Sequence, residues 1–162
     1  MSFTLPDAAA TERLGAALAR TCPWNSAVPR AIYLRGELGA GKTTLVRGLL
    51  RALGERGPVR SPSYALLEPY SVAAGTVIHV DLYRVRDGAE TEMLGLRDEF
   101  RGDALLLVEW PERAGAALPL PDVQLTLQVE ADRRVAEVSS ESLVGQSWIS
   151  AASTIFASDI LD

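Results

Sequence analysis

The chain has 162 residues, 48% hydrophobic and 23% charged, with a formal net charge of −5. That composition excludes disordered and fibrous classes, and the negative balance argues against a protein that grips nucleic acid unaided. One cysteine, Cys22, cannot form an intrachain disulfide, and no stretch reaches the ~20 apolar residues of a membrane span.

The expectation is therefore one domain over residues 1–162, with no membrane association and a cytoplasmic location. Residues Met1 to Asp7 carry neither the basic start nor the apolar run of a secretion signal. Asp7 is placed to cap a helix whose apolar face is Ala10, Leu14, Ala17 and Leu18, with Pro23 stopping it. Ala31 to Leu34 is a short continuous apolar run, the pattern of a parallel strand covered on both faces. It leads directly into Gly36-Glu37-Leu38-Gly39-Ala40-Gly41-Lys42-Thr43, a complete G-x-x-x-x-G-K-T loop. A helix marked by Leu45, Val46, Leu49, Leu50 and Leu53 follows and ends at Gly54.

Residues 57–63 read as an irregular loop, since Pro62 blocks a helix and pushes Ser61 toward extended backbone. Tyr64 to Tyr70 and Thr76 to Asp81 are expected to pair as an antiparallel hairpin around Ala73-Ala74-Gly75. Short helices are expected around Leu94, Leu96 and Phe100. Ala104 to Val108 is another fully buried strand, ending at Glu109. Alternation from Val123 to Val129 gives a strand with one wet face. Ala131 to Arg134 would turn it back into Val135 to Val138, and the tail from about residue 140 has room for a helix.

Lys42 is the sole lysine; the fifteen other cationic side chains are arginine. A compact ammonium is the group that reaches between the β- and γ-phosphates of a nucleotide cradled by the loop's backbone N–H groups. Thr43 would ligate Mg²⁺, and Thr44 sits one step further on to meet the α-phosphate. A phosphate-bound metal needs an acid at a neighbouring strand end, and Asp81 and Glu109 both fit. Either could orient the attacking water while the other serves the metal. His79, the only histidine, reads as structural, and Trp110 as a cover for the nucleotide or as packing. Arg84, Arg86 and Arg97 could grip a phosphate, but arginine is so frequent here that they read first as solvated ion-pair partners. No Asn-Lys-x-Asp guanine signature can occur without a second lysine, which leaves ATP as the expected nucleotide.

Together, the loop with Thr44, Ser61-Pro62-Ser63-Tyr64, His79-Val80-Asp81-Leu82-Tyr83-Arg84 and Val108-Glu109-Trp110-Pro111 resemble the TsaE (YjeE) family over about Leu5 to Val138. The resemblance implies an α/β P-loop NTPase-like three-layer sandwich with a mixed parallel and antiparallel central sheet. It implies an ATPase of tRNA threonylcarbamoyladenosine formation that acts with the TsaB and TsaD proteins, so that tRNA is met through the complex. By resemblance Thr43 and Glu109 bind Mg²⁺, Asp81 matters for hydrolysis, and Ser61 to Tyr64 is a switch-like loop. Thr11 and Arg134 match family positions near the nucleotide. The chain departs from the pattern at Ser63, where Thr is usual, and in its tail. A small-molecule kinase and a noncatalytic ATP-binding adaptor are the alternatives that share the loop.

Overall fold

The computed structural model describes residues 1–24, 30–86, 104–116 and 118–159. Seven strands form one sheet, in the order β1-β7-β6-β2-β5-β4-β3. They are β1 (Ser2–Leu5), β2 (Arg30–Arg35), β3 (Leu67–Val72), β4 (Gly75–Asp81), β5 (Ala104–Glu109), β6 (Val123–Glu130) and β7 (Arg133–Ser139). The described helices are α1 (Ala8–Arg20), α2 (Lys42–Ala52) and α3 (Leu143–Ser158).

The middle of the sheet is parallel: β2 runs between β5 and β6, and β4 lies beside β5. Antiparallel strands close both sides, β3 on β4 and the pair β7 and β1 on β6. This explains the continuous apolar runs, because β5 is buried along its whole length and β2 from Ala31 to Leu34. On one face, Ile32, Leu34, Leu105, Leu107 and Leu125 meet all three described helices. On the other, Tyr33, Ile78, Val80, Leu106 and Val108 form a smaller core with Leu82, Val85 and Ala114. The mixed α/β architecture agrees with the sequence expectation. The helices expected around Leu94, Leu96 and Phe100 lie outside the described residues.

Three boundaries differ from the pattern reading. The strand expected at Tyr64 to Tyr70 begins at Leu67, because residues 63–65 turn and Leu66 has φ of 65°. The turn after β6 takes only Ala131 and Asp132, with Ala131 at φ 53°, so Arg133 and Arg134 already belong to β7. Strand β1 was not visible in the pattern, since four residues are too few to establish alternation; Phe3 and Leu5 point inward against β7.

Helices α1 and α2 cross backbone to backbone. A Cβ on Gly48 would stand 2.1 Å from the Glu12 carbonyl oxygen, and one on Gly15 would stand 2.1 Å from that of Leu45. Helix α1 starts at a cap, where the Asp7 carboxylate accepts from the Ala10 N–H at 2.7 Å. The tail helix α3 is capped by Ser142, buries Trp148 and Phe156, and donates from the Trp148 indole to the Leu18 carbonyl at 2.9 Å.

Candidate functional site

The carboxyl ends of β2, β4 and β5 lie side by side, since Leu34 is in register with Glu109 and Glu109 with Asp81. Open parallel sheets present their ligand sites at that edge. The glycine loop leaves β2 there and returns as α2, whose N-cap is Gly41 at φ 109°, a left-handed conformation that glycine adopts without steric cost. Between loop and strand ends lies a pocket of about 400 Å³.

Leu38, Gly39, Gly41, Lys42, Thr43 and Thr44 form its loop side. The remaining loop residues act from behind: the Gly36 and Glu37 carbonyls accept from Lys42 Nζ at 2.7 and 2.9 Å, and Ala40 is buried. Arg134 reaches across from β7 and donates through Nε to the Ala40 carbonyl at 3.0 Å, bracing the loop. Thr11 is fully buried, with its hydroxyl on the Asp7 carbonyl. Its methyl group would lie 3.7 Å from a Cβ placed on Gly41, so Thr11 supports the loop rather than lining the pocket.

Opposite the loop stand Asp81 and Glu109, each 3% exposed. Thr43 donates its hydroxyl hydrogen to Glu109 Oε1 at 2.8 Å, and His79 Nε2 lies 3.0 Å from the same oxygen. Asp81 is held at both oxygens: Oδ1 accepts from the Tyr83 N–H at 2.9 Å, and Oδ2 accepts from the Ser61 hydroxyl. Ser61 and Ser63 face the pocket, Pro62 is buried, and Tyr64 is 84% exposed. The loop of residues 61–64 is thus tied to the strand carboxylate through one serine.

Lys42 is 4% exposed, and its Nζ sits 4.1 Å from the Trp110 ring centroid. Burial lowers its pKa, opposed by the nearby carboxylates of Glu109, Asp81 and Glu112. Trp110 takes a left-handed backbone, φ 60° and ψ 48°, while its N–H donates to the Leu34 carbonyl at 3.2 Å. A non-glycine residue held in that conformation is strained. A cation–π contact of this kind is worth about 1 kcal/mol, small against charge-assisted hydrogen bonds to phosphate.

Two roles escaped the sequence reading. Arg84 is exposed and also lines the pocket, where its guanidinium lies 4.0 Å over the Tyr64 ring. His79 is structural in burial but touches the site through Glu109. Strand alternation carried that signal, because His79 and Asp81, two apart, must share a face of β4. Arg97 lies outside the described residues.

Because the loop joins the end of a central parallel strand to the start of a helix, with acids arriving from the next two strands, the molecule falls in the α/β P-loop-like class. A solved structure described as YdiB of Bacillus subtilis has the same fold, with a TM-score of 0.72 over 98% of this chain and 95% of that one at 24% identity. A family model described as threonylcarbamoyl adenosine biosynthesis protein TsaE matches residues 5–137, and the chain belongs to that family, which serves tRNA threonylcarbamoyladenosine biosynthesis. Its relatives include the tRNA threonylcarbamoyladenosine biosynthesis protein TsaE of Haemophilus influenzae, 43% identical over 122 residues, 75% of this chain and 77% of the relative. The protein of the same name from Streptomyces coelicolor is 38% identical over 135 residues, 78% and 88% of the two chains.

Proposed function

We propose that this chain is a Mg²⁺-dependent ATPase, slow alone, that acts with the TsaB and TsaD proteins in the cytoplasm to support threonylcarbamoyladenosine formation on tRNA. The observation that carries the reading is the convergence of Lys42, Thr43, Asp81 and Glu109 on one pocket beside the glycine loop. By giving its hydrogen to Glu109, Thr43 leaves its oxygen lone pairs unspent. Hydroxyl and carboxylate oxygens are the donors a hard cation takes, and Mg²⁺ is usually held by one or two carboxylates plus substrate phosphates.

Among the described residues, no group of three or more His, Cys, Asp and Glu side chains could hold a metal unaided. That fits an ion arriving with the nucleotide. When bound, Mg²⁺ would neutralise charge on the nucleotide's phosphates. Thr43 and Glu109 would hold it, and Lys42 would leave the Gly36 and Glu37 carbonyls for the phosphates. Asp81 is the acid remaining to orient the attacking water, once Ser61 releases its Oδ2. In this reading, movement of residues 61–64 and readiness for hydrolysis are one event.

Replacing Lys42 by Ala tests the assignment. Phosphate release from ATP should fall below detection while the variant still unfolds cooperatively without nucleotide. Undiminished turnover in that variant would sink the reading.

A further inference from the structure

His79 is fully buried in β4, one alternation below Asp81, on the face of the sheet that packs against the helices. Its neighbour two residues back, Val77, fills the same core with an apolar side chain. An imidazole in that place carries a desolvation cost which packing alone does not call for. Nε2 recovers part of that cost at Glu109 Oε1, 3.0 Å away, whereas Nδ1 has no partner among the described residues. An ionised carboxylate only accepts, so the contact requires the hydrogen on Nε2.

Among the described residues, both donors to Glu109, Thr43 Oγ1 and His79 Nε2, fall on the same oxygen. The second oxygen, Oε2, is left to the pocket. Thr43 is on α2 and His79 on β4, so the carboxylate is pinned from opposite sides of the loop-to-sheet junction. With a side chain 4% exposed, Glu109 has little room to find another rotamer unless one of these holds is lost.

We propose that His79 is a positioning residue for Glu109, holding Oε1 through its Nε2–H so that Oε2 is presented to a divalent cation bound with the nucleotide. This rests on the reading of the pocket as an ATP and Mg²⁺ site. His79 is fully buried and does not line the pocket, so its effect must appear in metal dependence and not in nucleotide recognition itself. Partners that orient a metal ligand typically contribute 10–100-fold in metal affinity.

The test is equilibrium binding of a non-hydrolysable ATP analogue, in EDTA and across a Mg²⁺ titration, for the full chain and three variants. His79→Leu keeps the volume and removes the donor. His79→Gln keeps an N–H at about the reach of Nε2, and His79→Asn keeps a buried amide but withdraws it by one bond. The expected result is analogue affinity in EDTA within about twofold of the parent for all three, with the Mg²⁺ needed for half-maximal binding raised roughly 10-fold or more in Leu and Asn and restored to within about threefold in Gln.

Equal losses in EDTA and Mg²⁺, or Gln and Asn behaving alike, would overturn the proposal and leave His79 as core. If His79→Leu does not fold, the comparison of Gln with Asn decides the same point. A parent chain whose analogue affinity ignores Mg²⁺ would overturn the reading of the pocket beneath it; a Mg²⁺-dependent parent with an unchanged Leu variant would overturn the role of His79 alone.

Discussion

Glu109 is where three parts of the molecule meet: the strand that carries it, the helix start that supplies Thr43, and the neighbouring strand that supplies His79. In the proposed function its role separates from that of Lys42, because an ammonium would serve the phosphates with or without metal while a carboxylate repels them unless a cation intervenes. Changing Glu109 to Gln keeps an acceptor for Thr43 and removes the charge. Nucleotide affinity in EDTA should then hold or rise, because a repelling charge is gone, and affinity in Mg²⁺ should drop by roughly 10-fold or more. Calorimetric titrations under the two conditions read this directly, and equal losses would remove Glu109 from the metal site. Of these residues, Lys42, Thr43, Asp81 and Glu109 were legible in the sequence, because each stands in a local motif at a strand end or loop. The Ser61 contact to Asp81, the Arg134 brace on the loop and the placing of Arg84 over Tyr64 were not. Each joins segments that only tertiary folding brings together.

The elements divide along the same line. Strands β2 and β5 and helix α2 were readable because burial on both faces or amphipathic spacing leaves a long enough pattern. The short edge strand β1 and the late start of β3 depended on pairing and on the left-handed Leu66, which no periodicity encodes. The α1–α2 crossing is likewise set by contact: Gly48 lies against the Glu12 carbonyl with no room for a methyl group. Gly48→Ala should gain about 1 kcal/mol in helix propensity and lose about 3 kcal/mol to overpacking, for a net destabilisation of about 2 kcal/mol in denaturant unfolding. Since α2 begins with Lys42 and Thr43, any shift of the helix also moves the site. A variant as stable as the parent would mean that the two helices separate at no cost.

For the whole molecule, the sheet acts as a platform whose parallel centre gathers catalytic candidates at one edge, while α3 and the β1–β7 pair complete the core away from it. Two groups in those cores give the folded state a marked alkaline limit. Burial raises the Cys22 thiol from 9.0 to about 12, with Arg30 opposing and Asp122 reinforcing, and raises the Tyr33 phenol from 10.0 to about 12 against the pull of Arg35. The folded state holds these protons after the unfolded chain has released them. The stability they contribute is therefore complete below about pH 9 and is lost progressively as pH rises toward about 12. Unfolding midpoints in denaturant should fall across that window, and a flat profile would contradict the assignment. Lys42 acts in the opposite sense, since its lowered pKa makes the cost of keeping it charged smaller as pH rises. The molecule keeps that cost at the one place where phosphate would meet the cation. The most direct measurement of the account is phosphate release from ATP by the purified chain, alone and with TsaB, TsaD and tRNA. The account predicts slow release alone and strong stimulation by the partners, lost in Lys42→Ala. ATP left intact with every partner present, or its phosphate transferred to a small acceptor, would contradict it.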